Sequence, residues 1–446
     1  MNDERFDTLD EVVQHHLAEK QIPGIAVGTL IDGDIRTSAY GAINVNTGYP
    51  TRPDTLFQIG SISKVFTATL AMRLAEAGKL NLDTPVAEYL PDLELADPDA
   101  RDVITTRQLL NHTSGLEGDI FEDYGVGNDA LAQYVANAPR WQQITPPGEQ
   151  WSYCNSGFSL AGRVIEVISG RPFEEVMREQ VFEPLGLQRA TFFAQEAILH
   201  SAAAGHQQLP GEDAPRVATP YLIARCSNPA GGIMADLRDV LTFARFHLGD
   251  GTVNGERVLQ SASVAAMQQS EVRYSTVAER GVAWMRLAFG GTTLIGHGGG
   301  TNGHITQLWL APEQNFAIAV LTNSGRGGAA IQPIVDWAME RYLGIRDAEP
   351  ERASLNGDDL AAYTGRYPST LSTTTIAVDG DTLTATQRAR NPFSGEEFDT
   401  PPTTLVPIAN DEFYQPDSKS RVEFVRDADG NVNFMRFGGR LARRDA

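Results

Sequence analysis

Strand-forming sequence lies at both ends of the first 343 residues and is nearly missing between them. After a helix at roughly Phe6 to Glu19, "GIAVGTLIDGDIRTSAYG" alternates apolar and polar residues around Asp32-Gly33, a dipeptide suited to a two-residue hairpin. A strong helix follows from Ser61 to about Ala77, its apolar residues mixed with small ones, with Gly78 as a left-handed stop. From about Lys79 the text is mainly helical, in short pieces separated by Pro and Gly. Strands return in "GVAWMRLAFG", "TTLIGH", "GHITQLWLAP" and "NFAIAVLTNSG", and a helix from about Ala329 to Leu343 closes the run. This order predicts an α+β fold: an antiparallel sheet flanked by helices, with an all-helical lobe (about 79–225) inserted. The charged stretch 344–358 reads as a linker. Beyond it, over 359–446, short β segments with hairpin turns at Asp379-Gly380 and Asp429-Gly430 predict a small antiparallel barrel whose aromatics (Phe413, Tyr414, Phe424, Phe434, Phe437) form its core.

Composition narrows the partners. The chain of 446 residues is 41% hydrophobic and can bury a large core as two domains. Its 57 acidic and 36 basic residues give a formal charge of −21, which argues against nucleic-acid or anionic-membrane partners. The acidic start lacks the basic region and apolar stretch of a secretory signal, and no later segment is long and apolar enough to span a membrane. A soluble, cytoplasmic protein is the expectation. Cys154 and Cys226 show no disulfide or zinc spacing.

Lysine occurs only four times, at Lys20, Lys64, Lys79 and Lys419. Arginine stays protonated at any accessible pH, whereas a desolvated lysine can become the neutral amine that accepts a proton. Lys64 lies three residues after Ser61, on one helical face with it, in the chain's only S-x-x-K. A serine nucleophile with a lysine base is one reading; a helix-capping serine beside a surface charge is the other. Tyr153-Cys154-Asn155, the only Tyr-x-Asn, precedes another helix and could supply a proton shuttle and an amide that holds Lys64. His297-Gly298-Gly299-Gly300 ends one predicted strand and leads to the next, where glycines let backbone amides approach a ligand. Gly298, Gly300 and Gly303 also fit G-x-G-x-x-G, but a strand follows where a dinucleotide site needs a helix. His247-Leu248-Gly249 reads as a helix end, and His15-His16 as a solvated face. Zinc-protease, P-loop and α/β-hydrolase motifs are absent.

Ser61-x-x-Lys64, Tyr153-x-Asn155 and His297-x-Gly299, in that order, resemble the three signature elements of the serine β-lactamase and penicillin-binding protein superfamily. The closer likeness is to its class C branch, with esterases, D-aminopeptidases and D-alanyl-D-alanine carboxypeptidases. "ITTRQLLNHTSGL", "TPPGEQWSYCNSGFSLAGRVIE", "VFEPLGL" and "NPAGGIMADLRDVLTFARF" extend the resemblance over about residues 5–343. The tail resembles the lipocalin-like domain of some members. The resemblance implies Ser61 as nucleophile, Lys64 and Tyr153 as its proton acceptors, Asn155, His297 and Gly299 as substrate-orienting residues, and the Ser61 and Gly300 amides as oxyanion hole. It implies no cofactor and no metal. His297 stands where most β-lactamases carry Lys, and a neutral His holds a carboxylate less firmly, so the expectation leans away from antibiotic hydrolysis. Cys154, in place of the usual Ser, is expected to line the site. The reading is a serine hydrolase acting on small esters, amides or D-amino-acid peptides. A transacylase or peptide cyclase, a β-lactamase, and a non-catalytic binding protein on the same fold are the alternatives. A homo-oligomer is compatible with all of them.

Overall fold

The computed structural model describes residues 6–209, 211–392 and 395–445. The first five residues, part of the acidic start, lie outside that range. An eight-stranded antiparallel sheet is built from both ends of the first part of the chain. Its strands are β1 (Gly24–Ile31), β2 (Asp34–Gly41), β3 (Val272–Arg273), β4 (Ala278–Arg280), β5 (Met285–Phe289), β6 (Thr292–Thr301), β7 (His304–Ala311) and β8 (Phe316–Thr322), in the spatial order β2-β1-β8-β7-β6-β5-β4-β3. Asp32 and Gly33 turn the β1–β2 hairpin with φ of 53° and 89°, the paired left-handed residues of a tight two-residue loop.

The period-two alternation of β1 is realised in two cores. Ile25 and Val27 join Ile318 and Val320 of β8 against α1 (Leu9–Glu19) and the helix Gly328–Ala338. Ala26, Leu30, Ala317, Ala319 and Leu321 face the other way, into the cluster holding α2 (Ser63–Glu76), α3 (Asn155–Ser169) and α4 (Leu237–Leu248). A sheet covered on both faces explains why β8 is buried at every position. Helix α2 is buried almost all round, as expected for a helix at the centre of the larger core. Thr8 opens α1 through a reciprocal capping box with Glu11, so the helix starts at Leu9 rather than Phe6.

Three local expectations are corrected. The inserted lobe is not wholly helical, since His206–Gln207 pairs with Arg216–Val217. The glycine run does not end a strand: it lies inside β6, paired with β7 as far as Thr301↔His304. The tail hairpin expected at Asp379-Gly380 turns on Gly380 and Asp381, because Asp379 already pairs with Thr382.

The tail forms a separate, nearly closed antiparallel barrel of nine strands, from Gly365–Pro368 to Arg440–Arg443. The Asp445 amide donates to the Arg366 carbonyl and draws the last strand toward the first. Tyr363, Tyr367, Leu383, Leu405, Phe413 and Phe424 fill its interior. Its last hairpin, β9 (Val432–Phe437) to β10 (Arg440–Arg443), faces the first sheet's domain. There Arg436, 4% exposed, donates from Nε to the Trp151 carbonyl at 3.0 Å and from Nη1 to the Tyr274 carbonyl at 3.3 Å. Thr276 donates from its backbone amide and its hydroxyl to Glu412 at 3.2 and 3.0 Å.

Removing one partner of such a buried set strands the others without water. Arg436→Met is expected to lower the unfolding free energy by about 2–3 kcal/mol in a denaturant titration. A titration indistinguishable from the wild type would show that this contact carries no stability.

Candidate active site

Ser61 lies in a 3-10 turn, Gly60–Ile62, one turn ahead of α2 rather than inside it. Gly60 makes the turn possible: its φ is 53°, and a methyl there would strike the Gly300 amide of β6. Three-residue spacing still holds Lys64 beside Ser61, with Nζ 3.1 Å from Oγ. Lys64 is fully buried and its Nζ has two further acceptors, Asn155 Oδ1 at 2.7 Å and the Ala230 carbonyl at 2.6 Å. None is an anion. Burial therefore drives the amine below its ordinary pKa, with Tyr153 only partly opposing it.

Tyr153 and Asn155 arrive together at the start of α3. The helix is capped by Cys154, whose sulfur accepts the Gly157 amide, so Asn155 is free to turn into the site. This corrects the expectation for Cys154: the thiol is 1% exposed, caps a helix and does not line the cleft. The Tyr153 ring lies 4.9 Å from Lys64 Nζ and 6.1 Å from the His297 ring. His297, on β6, donates from Nδ1 to the Gly298 carbonyl at 2.6 Å. That leaves Nε2 as an unpartnered acceptor on a neutral ring, since burial and the nearby Arg280 and Lys64 charges push its pKa well below 6.5.

Gly299 and Gly300 bring β6 against the Ser61 turn. A methyl on Gly299 would overlap the Ile59 carbonyl, which also accepts the Thr306 hydroxyl at 2.9 Å. Ser61, Tyr153, Asn155, His297, Gly299 and Gly300 thus border one cavity of about 730 Å³. It runs across β4 to β7 between the two domains, reaching Lys419 and Arg421 on the barrel.

Several residues at this site had no sequence signal. Asp119, 8% exposed, accepts from Asn155 Nδ2 at 2.8 Å. It is held in turn by Arg440 of the barrel, at 2.9 Å from Nε and 3.3 Å from Nη2. The Tyr153 amide donates to the Gly439 carbonyl at 2.9 Å, and the Arg440 guanidinium lies 4.6 Å from the Tyr153 ring. Nothing in "GLEGD" or "FGGRL" marks these as partners, because the pairing joins segments 321 residues apart.

A Beta-lactamase family model matches residues 9–335. The chain belongs to the beta-lactamase family. It is 36% identical to penicillin-binding protein 4 of Amycolatopsis lactamdurans over 372 residues, 82% of this chain and 96% of that protein. It is 26% identical to the unguisins hydrolase ungD' of Aspergillus campestris, over 70% of this chain and 61% of that protein. The crystal structure of SurE superposes with a TM-score of 0.78 at 26% identity, covering 98% of this chain and 99% of SurE, so the likeness includes the barrel. SurE with D-Leu gives 0.77 over the same shares. A β-lactamase-family hydrolase is thereby established. No helix among the described residues is long and apolar enough to cross a membrane.

Asp119 and Arg440 act on Lys64 with opposite sign. A reaction that needs the neutral amine speeds up as pH rises through the Lys64 pKa. Asp119→Asn removes an anion that favours the ammonium, so the rising limb of kcat/KM should move to lower pH. Arg440→Gln removes a cation that disfavours it, so the limb should move to higher pH. Both should lower kcat by about tenfold to a hundredfold through loss of alignment. Shifts in the same direction would rule out this electrostatic coupling.

Proposed function

We propose that this protein is a serine hydrolase that cleaves small esters or amides, with peptides containing D-residues as its preferred class, through an acyl-enzyme on Ser61. The observation that carries the reading is Lys64: a fully buried amine with no carboxylate in ion-pair distance among the described residues, 3.1 Å from the Ser61 hydroxyl. In this reading Ser61 Oγ attacks the substrate carbonyl while its proton passes to Lys64 and Tyr153. The C–O bond forms, and the negative charge of the tetrahedral intermediate is met by the Ser61 and Gly300 amides, each worth about 3 kcal/mol. Collapse breaks the bond to the leaving group, which takes the proton back. Water, deprotonated by the same pair, then releases the acid and frees Ser61. Asn155 keeps Lys64 in place and turns toward the substrate amide; His297 and Gly299 border the leaving-group side.

The size of the cleft and the likeness to SurE, whose crystal structure was determined with D-Leu, support peptides with D-residues over single amino-acid esters. A transacylase or cyclase would use the same acyl-enzyme with an amine in place of water, and the open length of the cleft beside Ser61 gives such an amine room. A β-lactam would need its carboxylate held beside His297, where the ring is neutral.

Intact-mass measurement after acid quench tests the proposal. Wild type, but not Ser61→Ala, should gain one acyl group from a p-nitrophenyl ester, and a D-alanine p-nitroanilide should be turned over faster than its L counterpart. A chromogenic cephalosporin should be the poorest of the three probes. An adduct on Ser61→Ala, or none on wild type with any probe, would sink the proposal. Added amine that changes the product ratio would assign the transacylase reading.

A further inference from the structure

His112 follows the short helix Thr106–Leu110 with φ of 65°, the left-handed conformation that usually marks a glycine stop. The Thr113 amide closes that stop on the Gln108 carbonyl at 2.9 Å, and the Ala283 amide donates to the Leu110 carbonyl at 3.1 Å. Ala283 is itself left-handed, with φ of 66°. Of the described non-glycine residues with positive φ, His112 and Ala283 alone are buried; the others are exposed or half-buried turn residues. Glycine would relieve the backbone at position 112, so a histidine there has a purpose beyond the turn.

That purpose lies next to Tyr153. His112 grips the backbone on both sides of it: the His112 carbonyl accepts the Ser152 amide at 3.0 Å, and Nδ1 accepts the Cys154 amide at 3.0 Å. The imidazole also lies 4.5 Å from the Tyr153 ring, inclined by 31°, with Phe158 at 5.2 Å and Trp151 edge-on at 6.1 Å. An Nδ1 that accepts carries no proton, so the ring is neutral with its hydrogen on Nε2. Burial and the nearby Arg280 and Lys64 charges push its pKa well below 6.5 and keep it neutral. Nε2 is buried without a hydrogen-bond partner. Both the left-handed backbone and the stranded N–H cost stability, so the turn gains nothing for itself from this side chain. What histidine adds is an aromatic face and an acceptor at one place: asparagine offers the acceptor, phenylalanine the face and glycine neither.

We propose that His112 is a positioning residue for Tyr153, fixing its ring beside Lys64 for the proton transfers to and from Ser61. The proposal deepens the hydrolase reading and rests on it for the step affected, but the placement of the ring can be read without turnover. The barrel hairpin reaches Tyr153 through its amide, whereas His112 holds the ring itself and the residues before and after it.

The test compares His112→Gly and His112→Asn in the full chain, each alone and combined with Tyr153→Phe, by the rate at which a p-nitrophenyl ester acylates Ser61 in single-turnover intact-mass measurements. His112→Gly should acylate at least about tenfold more slowly than the wild type with half-saturation unchanged within about twofold, because a misplacement of about 1 Å can cost a hundredfold in rate. His112→Asn suits a left-handed backbone and offers an acceptor to the Cys154 amide, so it should keep part of the rate. In the Tyr153→Phe background both substitutions should change the rate by less than about twofold, since a positioning residue acts only through the group it positions. A purely structural role would give the same loss in both backgrounds. A second readout is the Tyr153 signal in protein labelled with [ζ-13C]tyrosine, identified by its loss in Tyr153→Phe. It should move in His112→Asn while the signals of Tyr363 and Tyr367, in the barrel interior, stay in place. A His112→Gly rate within about twofold of wild type, equal losses in both backgrounds, or an unmoved Tyr153 signal would each overturn the proposal. Should His112→Gly fail to fold, or Tyr153→Phe acylate too slowly to measure, His112→Asn and the tyrosine signal still decide. Absence of any adduct on the wild type would instead remove the hydrolase reading and leave the signal to decide the placement, so the two failures are distinct results.

Discussion

The site depends on one buried amine that has acceptors but no counter-ion. Lys64 could have been stabilised as an ammonium by a carboxylate, and the chain has many to spare. Instead its partners are a hydroxyl, an amide oxygen and a backbone carbonyl, which satisfy the N–H groups without offsetting the cost of desolvating the charge. Those partners come from three separate segments, so the amine's environment exists only when the surrounding fold is assembled. The Ala230 carbonyl is fixed because its neighbours are tied to α2: Thr67 donates to the Pro229 carbonyl at 2.7 Å, and the Ile233 amide donates to Ser63 at 3.1 Å. Asn155 is fixed by the start of α3, and the Ser61 turn by the absence of side chains at Gly60 and Gly299.

The nearest anion is kept one residue away. Asp119 reaches Lys64 only through Asn155, and its charge is shared with Arg440. Around the Tyr153 ring this leaves the Lys64 amine at 4.9 Å and two guanidinium groups, Arg280 and Arg440, at 5.8 and 4.6 Å. Close to Tyr153 the field is thus positive in a chain of net charge −21, although Asp336, Asp347 and Glu423 border the same cavity. Such a field suits oxyanions that develop at a carbonyl.

Much of this was readable from the sequence, for definable reasons. Alternation around the first hairpin, the apolar run of β8, the Asp32-Gly33 turn and the helix after Ser61 are local patterns, and local patterns survive translation into a single sheet with two cores. The short motifs Ser61-x-x-Lys64, Tyr153-x-Asn155 and His297-x-Gly299 were legible because each is carried by one segment. Errors arose where pairing overrode local punctuation: glycines at 298–300 read as a strand end, yet β7 supplies a partner on which they continue. Cys154 read as a site thiol because only its position between Tyr153 and Asn155 was visible, not the Gly157 amide it caps. Asp119 and Arg440 were invisible for a different reason. Each is an ordinary charged residue whose meaning comes from a contact, and that contact is not written in neighbouring residues.

The barrel shows how a second domain can enter a site through its outer edge. Its interior is packed with aromatic and aliphatic side chains, so what it presents to the rest of the molecule is its outer edge. The turn Gly438-Gly439, with φ of 55° and 80°, is narrow enough to pass beside Trp151. A methyl on Gly439 would press on the Trp151 ring at 3.0 Å, so glycine is required there both by backbone conformation and by space. Behind the turn, Leu441 donates its amide to the Ser152 hydroxyl at 3.2 Å, and Arg436 holds the Trp151 carbonyl. Three consecutive residues are therefore held by one hairpin, through the Trp151 carbonyl, the Ser152 hydroxyl and the Tyr153 amide, and the clamp ends where the Arg440 charge begins. A barrel this nearly closed resists deformation because its strands are paired along the length of the sheet, which makes its edge a stiff template. The position of Tyr153 is set from both sides, by α3 from within its own domain and by this hairpin from outside.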